Sequence, residues 1–206
     1  MNQTGTAYRI RTVAVIGAGE AGRSFALACA CAGFHVVLED VMPANLRKAE
    51  ADFADMSGRA APGCLDLVPT VEDAVRDADI VFDFVPDELE SKLEIFSMID
   101  RMAPPKTILC TPSDALSITD LASCVYRPER CFAVRGGLAP VAAQAGQALR
   151  LLYPAGIDES LIPVLLDFFE RQGRMALAEM DPDVPMLVKN LLQDNKFRSP
   201  MAGSGN

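Results

Sequence analysis

The residues best suited to chemistry are Gly17, Ala18, Gly19, Glu20, Ala21 and Gly22, together with Asp40, which lies 18 residues past the last glycine. The hexapeptide has the G-x-G-x-x-G spacing, and each glycine has a task if a dinucleotide binds there. Gly17 allows a tight turn, Gly19 lets backbone approach a pyrophosphate, and Gly22 lets a following helix pack closely. The N-terminus of that helix would aim free N–H groups and its positive dipole end at the phosphates. A carboxylate at Asp40 would accept the adenosine ribose hydroxyls. Glu39 adds a second negative charge and no arginine stands immediately after it, so NAD(H) is expected over its 2′-phosphorylated relative.

Such a hexapeptide is weak evidence by itself, because a glycine-linked strand–helix unit needs no ligand. The flanking pattern decides in favour of a cofactor. An apolar run over 13–16 reads as a buried strand, 24–32 as a helix, and 36–38 as a second strand ending in acid. Further along, 43–56 is a helix opened by Pro43, and 65–68 a short strand. Thr70 to Asp73 reads as a capping box with Asp in place of Glu, opening a helix that runs to 78. A strand over 80–85 stops at Pro86, and an amphipathic helix covers 87–101. Strands over 107–110 and 131–134 flank a short helix capped by Ser117. After them come a strand at 147–153, a helix at 158–171, a strand at 174–178 and a last helix over 185–193. This alternation predicts an α/β, Rossmann-type fold: a mostly parallel sheet with helices on both faces. Residues 1–182 form the expected cofactor domain, and 183–206 a C-terminal helix followed by a disordered tail.

Composition narrows the classes. Half of the 206 residues are hydrophobic, enough for a sizeable core, and no apolar run is long enough for a membrane span. The net charge of −9 argues against a nucleic-acid partner, which requires clustered basic residues. The short polar leader over 1–8 does not read as a signal peptide, so a cytoplasmic location is expected. The six cysteines form no C-x-x-C pair and are expected to be buried free thiols. With one histidine and no ligand cluster, no metal is expected. His35 opens the second strand, at the end of a parallel sheet away from ligands, so a structural role is expected for it.

With these segments in order, the chain resembles the cofactor domain of the L-3-hydroxyacyl-coenzyme A dehydrogenase family. The resemblance runs from about 13 to 192 and rests on VAVIGAGEAGRSFALACACAGFHVVLED, DADIVFDFVPDELESKLEIF, ILCTPSDALSITDLA with RPERCFAV, and an eroded helix opening in PMLVKNL. It implies cofactor contacts at Asp87 and Lys92. It also implies that the family's catalytic histidine is replaced by Arg135 and the acid that orients it by Leu151. The substrate-contacting serine falls on Asp114, and the following asparagine on Leu138 or Ala139. Only the asparagine of the last helix is kept, as Asn190. The segment near the family's coenzyme A hairpin reads as short, and the helical C-terminal domain as almost wholly lacking.

Alcohol oxidation by hydride transfer needs a base near the hydroxyl with a pKa close to working pH. Arginine stays protonated and cannot be that base. Two functions follow. The first, and leading, is a divergent NAD-dependent oxidoreductase acting on an oxo or hydroxy acid or an acyl thioester. Arg135 could then hold a substrate carboxylate and Asp114 could serve as acid or base, although a surface arginine and a turn-capping aspartate are the plainer readings. The second is a cofactor-binding regulatory or partner subunit without turnover. Leu187, Val188, Leu191 and Leu192 would leave an apolar patch on the last helix, so a homodimer or a partner subunit is expected.

Overall fold

The computed structural model describes residues 8–57, 63–138, 148–183 and 185–187. The chain runs β1 (Thr12–Ile16), α1 (Glu20–Cys31), β2 (His35–Glu39), α2 (Pro43–Ser57), β3 (Cys64–Val68), α3 (Val71–Val75) and β4 (Ile80–Asp83). It continues with α4 (Leu89–Met102), β5 (Ile108–Pro112), α5 (Ile118–Ala122), β6 (Cys131–Arg135), β7 (Leu149–Tyr153), α6 (Leu161–Glu170) and β8 (Ala176–Met180). The strands form one sheet in the order β3-β2-β1-β4-β5-β6-β7-β8. Every pairing is parallel except β6 with β7. The strand order reverses at β1, and in open sheets of this kind ligands bind beyond the C-terminal ends of the strands beside that point.

Side chains alternate across the sheet, which is why the strands read as continuous apolar runs. Val13 and Val15 of β1 face one layer with α1, α2 and α6, whereas Ala14 and Ile16 face the other with α3, α4 and α5. The first layer is closed by aromatic contacts: Phe25 lies 4.5 Å from Phe82 between ring centroids, and Phe34 lies 4.9 Å from Phe168. Sandwiched burial of this kind leaves β1 and β4 almost wholly enclosed beneath the glycine loop.

Several expectations are corrected. Helix α1 starts at Glu20, not at Ser24, because Gly22 belongs to the first turn of the helix rather than to the loop. Strand β8 begins two residues later than expected. Gly173, at φ +72°, and Arg174 are used to end α6, with the Arg174 N–H donating to the Phe169 carbonyl at 3.0 Å. Only Cys29, Cys110 and Cys131 are buried; Cys31 and Cys64 are exposed and Cys124 lies between. Cys31 is two residues from buried Cys29 on α1 and so faces away from the sheet, and Cys64 opens the edge strand β3. His35 does stand at the N-terminal end of the sheet, its Nε2 2.7 Å from Asp66. The last expected helix is described only through Leu187, so Asn190, Val188, Leu191 and Leu192 lie outside the described residues, as do the leader up to residue 7 and the tail.

Candidate cofactor site and cleft

The three loop glycines are not equivalent. A Cβ on Gly22 would lie 1.9 Å from the Gly17 carbonyl oxygen, and Gly17 itself has φ +96° with the Phe84 carbonyl 3.2 Å from its would-be Cβ. Both are therefore required by the fold alone. Gly19 has a negative φ of −58° and nothing within 4 Å of its would-be Cβ. Neither backbone strain nor packing explains a glycine there, whereas a phosphate resting on the loop does. Gly19 is also the N-cap of α1 and offers no side-chain cap, so the first N–H groups of the helix are left for a ligand.

Asp40 stands where this loop can use it. Its Oδ2 accepts from the Ala18 N–H at 2.8 Å and from Asn45 Nδ2 at 3.0 Å, and its Oδ1 accepts from the Met42 N–H at 2.7 Å. A carboxylate has about four lone-pair positions, so three donors leave room for a ribose hydroxyl on Oδ1. Glu39 does not share this role. It is 3% exposed on the sheet, and burial, with Asp40 adding to it, pushes its carboxyl above the usual range. The expected second charge at the ribose is thus weakened: Glu39 is the last, buried residue of β2, whereas Asp40, itself 8% exposed, is held just beyond the strand end by the Ala18 and Met42 N–H groups.

On the other side of the loop a cavity of about 520 Å³ opens beyond β4, β5 and β6. Glu20 and Ser24, one turn apart on α1, face Phe84 and Val85 after β4, Pro112 at the end of β5, and Leu138 after β6. Asp87 is exposed at the entrance to α4. Lys92 is not exposed at all: its Nζ donates to Asp83 Oδ1 at 2.7 Å, with both side chains 0% exposed. The resemblance implied a cofactor contact at Lys92; the structure directs its ammonium into the sheet, where it compensates a buried carboxylate. Burial pushes the Asp83 carboxyl up, against the pull of Lys92.

Arg135 ends β6 with its guanidinium already engaged. It is ion-paired to Asp183 and donates to the carbonyls of Ser113 at 3.4 Å and Leu116 at 3.2 Å. Asp114 is exposed in the loop after β5, and its Oδ1 accepts from the Gly136 N–H at 3.3 Å. Leu151 is fully buried on β7 opposite Val134. Asp181 and Asp120 complete the framework. Asp181 accepts from the Ser117 hydroxyl at 2.7 Å and the Thr119 N–H at 2.9 Å, and Asp120 accepts from the N–H groups of Met186 and Leu187 at 2.7 and 3.0 Å.

Residues 12–135 of the chain match the family model described as the NAD-binding domain of 3-hydroxyacyl-CoA dehydrogenase. The chain belongs to this family. It is 31% identical over 134 residues to a probable 3-hydroxybutyryl-CoA dehydrogenase of Bacillus subtilis, covering 59% of this chain and 46% of that protein. It is 33% identical over 133 residues to an L-carnitine dehydrogenase of Burkholderia mallei, covering 60% and 41%. The chain thus spans less than half the length of these curated relatives. Among solved structures, a diketoreductase superimposes with a TM-score of 0.73 at 22% identity, over 90% of this chain and 70% of that one. A (S)-3-hydroxybutyryl-CoA dehydrogenase of Ralstonia eutropha also gives 0.73, at 20% identity, over 93% and 74%.

As a 3-hydroxyacyl-CoA dehydrogenase NAD-binding domain, the chain takes NAD as its cofactor, and the open cradle at Gly19 with Asp40 beside it fits that molecule. Of the residues expected to share this site, the loop and Asp40 do meet, through the Ala18 N–H and Asp40 Oδ2. Sequence reasoning missed Asn45 and Asp83, which meet Asp40 and Lys92 within one strand–helix turn, and Phe84 and Asp183, whose roles arise from neighbours farther along the chain.

Proposed function

We propose that this chain is the cofactor half of an NAD-dependent oxidoreductase that converts a CH–OH group and its oxo counterpart in a small acid or acyl thioester. The observation carrying this reading is Gly19, a glycine unexplained by fold or strain at the mouth of a cleft beside Asp40. Bound NAD supplies the hydride acceptor. The protein's part is to hold the phosphates at α1, the ribose at Asp40, and the substrate in the apolar cleft beyond Val85 and Pro112. Asp114 is the acid–base candidate on the loop that rims it. Asp87, exposed at the start of α4, remains a candidate contact to the cofactor, and Asn190 a candidate contact to substrate. Arg135 stands in for the family's catalytic histidine and Leu151 for the acid that orients it.

The engagement of Arg135 with Asp183 favours a second reading as well. A guanidinium tied to three partners is poorly placed to anchor a substrate carboxylate, which suits a binding or partner subunit without turnover. Residues 183–206 would then serve contact with a second copy or a separate subunit. Exposed Met175, Leu177, Met180 and Met186 near β8 and the start of this segment support such a surface. Titration calorimetry with NAD and NADH, followed by NADH consumption across a panel of oxo acids and oxoacyl thioesters, separates the readings. Binding with turnover on one panel member supports the enzyme, and binding without any supports the subunit. Equal or tighter binding of the 2′-phosphorylated cofactor would overturn the assignment of Asp40.

A further inference from the structure

The charge lining the cleft is one-sided. Glu20 is exposed in the first turn of α1 and lines the cavity, while Ala21, Ser24, Phe84, Val85, Pro112 and Leu138 around it carry no charge. Among the described residues its carboxylate has no ion-pair partner, and Arg23, three residues on along α1, is paired with Asp52.

The place of this carboxylate relative to Asp40 gives it a meaning. A dinucleotide crossing the sheet at its switch point has its adenosine ribose at Asp40, beyond β2, and its phosphates on the loop. Its second ring then falls on the opposite side, beyond β4 and β5, where the cavity lies. That ring is a cation in oxidised NAD and neutral in NADH, whereas the pyrophosphate is the same in both. The repulsion between Glu20 and the phosphates therefore weakens both forms alike and cancels in their ratio. The attraction to the ring exists for one form only.

We infer that Glu20 sets the redox-state preference of the bound cofactor, favouring oxidised NAD over NADH. This rests on the dinucleotide reading above and adds to it a direction. A protein that holds NAD more tightly relative to NADH makes bound NADH the stronger hydride donor, and so favours reduction of the oxo group at the bound stage. For a solvent-accessible charge the effect is modest, about two- to fivefold in the ratio of dissociation constants. It is also screened by salt, as exposed charges are.

The test is calorimetric titration of the full chain with NAD and, separately, NADH, in wild type, Glu20→Gln and Glu20→Lys. Because Glu20 is exposed, thermal melts of the three proteins should differ only by the small lost interaction with the α1 dipole, so that the NAD-to-NADH ratio reports the cleft. Expected is a shift of the Kd ratio toward NADH by about two- to fivefold in Glu20→Gln, further in Glu20→Lys, with both shifts shrinking at high salt. Dissociation constants that change by one common factor, or a ratio that moves toward NAD, would overturn the inference while leaving the cofactor reading intact. Failure of the wild type to bind either form would overturn both.

Discussion

Gly19 and Gly22 make opposite demands, and substitution separates them. Gly19→Ala places a methyl group in open space, so stability should stay within about 0.5 kcal/mol while NAD binding weakens by roughly tenfold or more. Gly22→Ala drives a methyl into the Gly17 carbonyl and should cost about 1–3 kcal/mol of stability or deform the loop. Chemical denaturation paired with calorimetry reads both; a Gly19→Ala protein that binds NAD as well as the wild type would remove the case for a phosphate at that residue. Lys92 makes a different kind of demand. Replacing it by Met strands Asp83 as an uncompensated carboxylate in the sheet, with an expected loss of about 3–5 kcal/mol. Adding Asp83→Asn to Lys92→Met should restore much of that loss, since the buried charge goes with its partner. Urea midpoints for the single and double variants check this, and additive losses would argue against a coupled pair.

At the level of elements, two carboxylates tie the joint between β8, α5 and the start of the final segment. Asp181 caps α5 through Ser117 and Thr119, and Asp120 of α5 in turn holds the N–H groups of Met186 and Leu187. Burial pushes the Asp181 carboxyl up, but hydrogen bonds from Ser117, Thr119 and the Asp183 N–H outweigh it and leave the group below the usual carboxylate range. A folded value below the unfolded one, about 3.9, gives stability that is present above that pH and is lost as pH falls through the folded value. Asp181→Asn should therefore lower stability near neutrality by about 1–3 kcal/mol and flatten the acid-side decline below about pH 4. Thermal melts from neutral to acid pH compare the two proteins. Parallel curves would place the acid sensitivity elsewhere, as at Asp79, a second depressed carboxyl among the described residues, which burial raises and Lys106 with two backbone N–H groups lowers further.

For the molecule as a whole, activity toward the family's usual substrates follows from what stands at the strand ends. Arg135 cannot take a proton from an alcohol, and Leu151 cannot orient an imidazole. On the proposed placement of Arg135 and Leu151 at the family's acid–base positions, turnover of acetoacetyl-coenzyme A should fall about 10²–10⁴ below an ordinary rate of roughly 10 per second. A steady-state NADH assay measures this directly, and ordinary turnover would mean that Asp114 or another group has taken over the proton transfer. Light scattering should give a mass above the 22.1 kDa of one chain, reflecting a second copy or partner on the apolar surface near β8. A clean monomer that stays in solution alone would count against that surface being an interface.

Local rules act on short stretches, and those were legible from the chain alone. The apolar run into Gly17, the spacing to Gly22 and the acid at Asp40 depend only on neighbours within one strand–helix–strand unit, so the cofactor could be read from them; sheet type came from the same local pattern repeated along the chain, and the family from several such segments together. Capping by Thr70 and Ser117 was likewise local, and both caps form. What the sequence could not decide was which charges would meet. Lys92 finds Asp83 because α4 packs back over β4, Arg135 finds Asp183 because the segment after β8 returns beside α5 and the end of β6, and Glu39 is buried at the end of β2 while Asp40 is held by the loop N–H groups just beyond it. Helix α1 starting at Glu20, not Ser24, belongs with these, since the close approach of Gly22 to Gly17 is a contact between two backbones. A charge's role depends on its partner and its burial, and both are properties of the assembled fold rather than of any single stretch of chain.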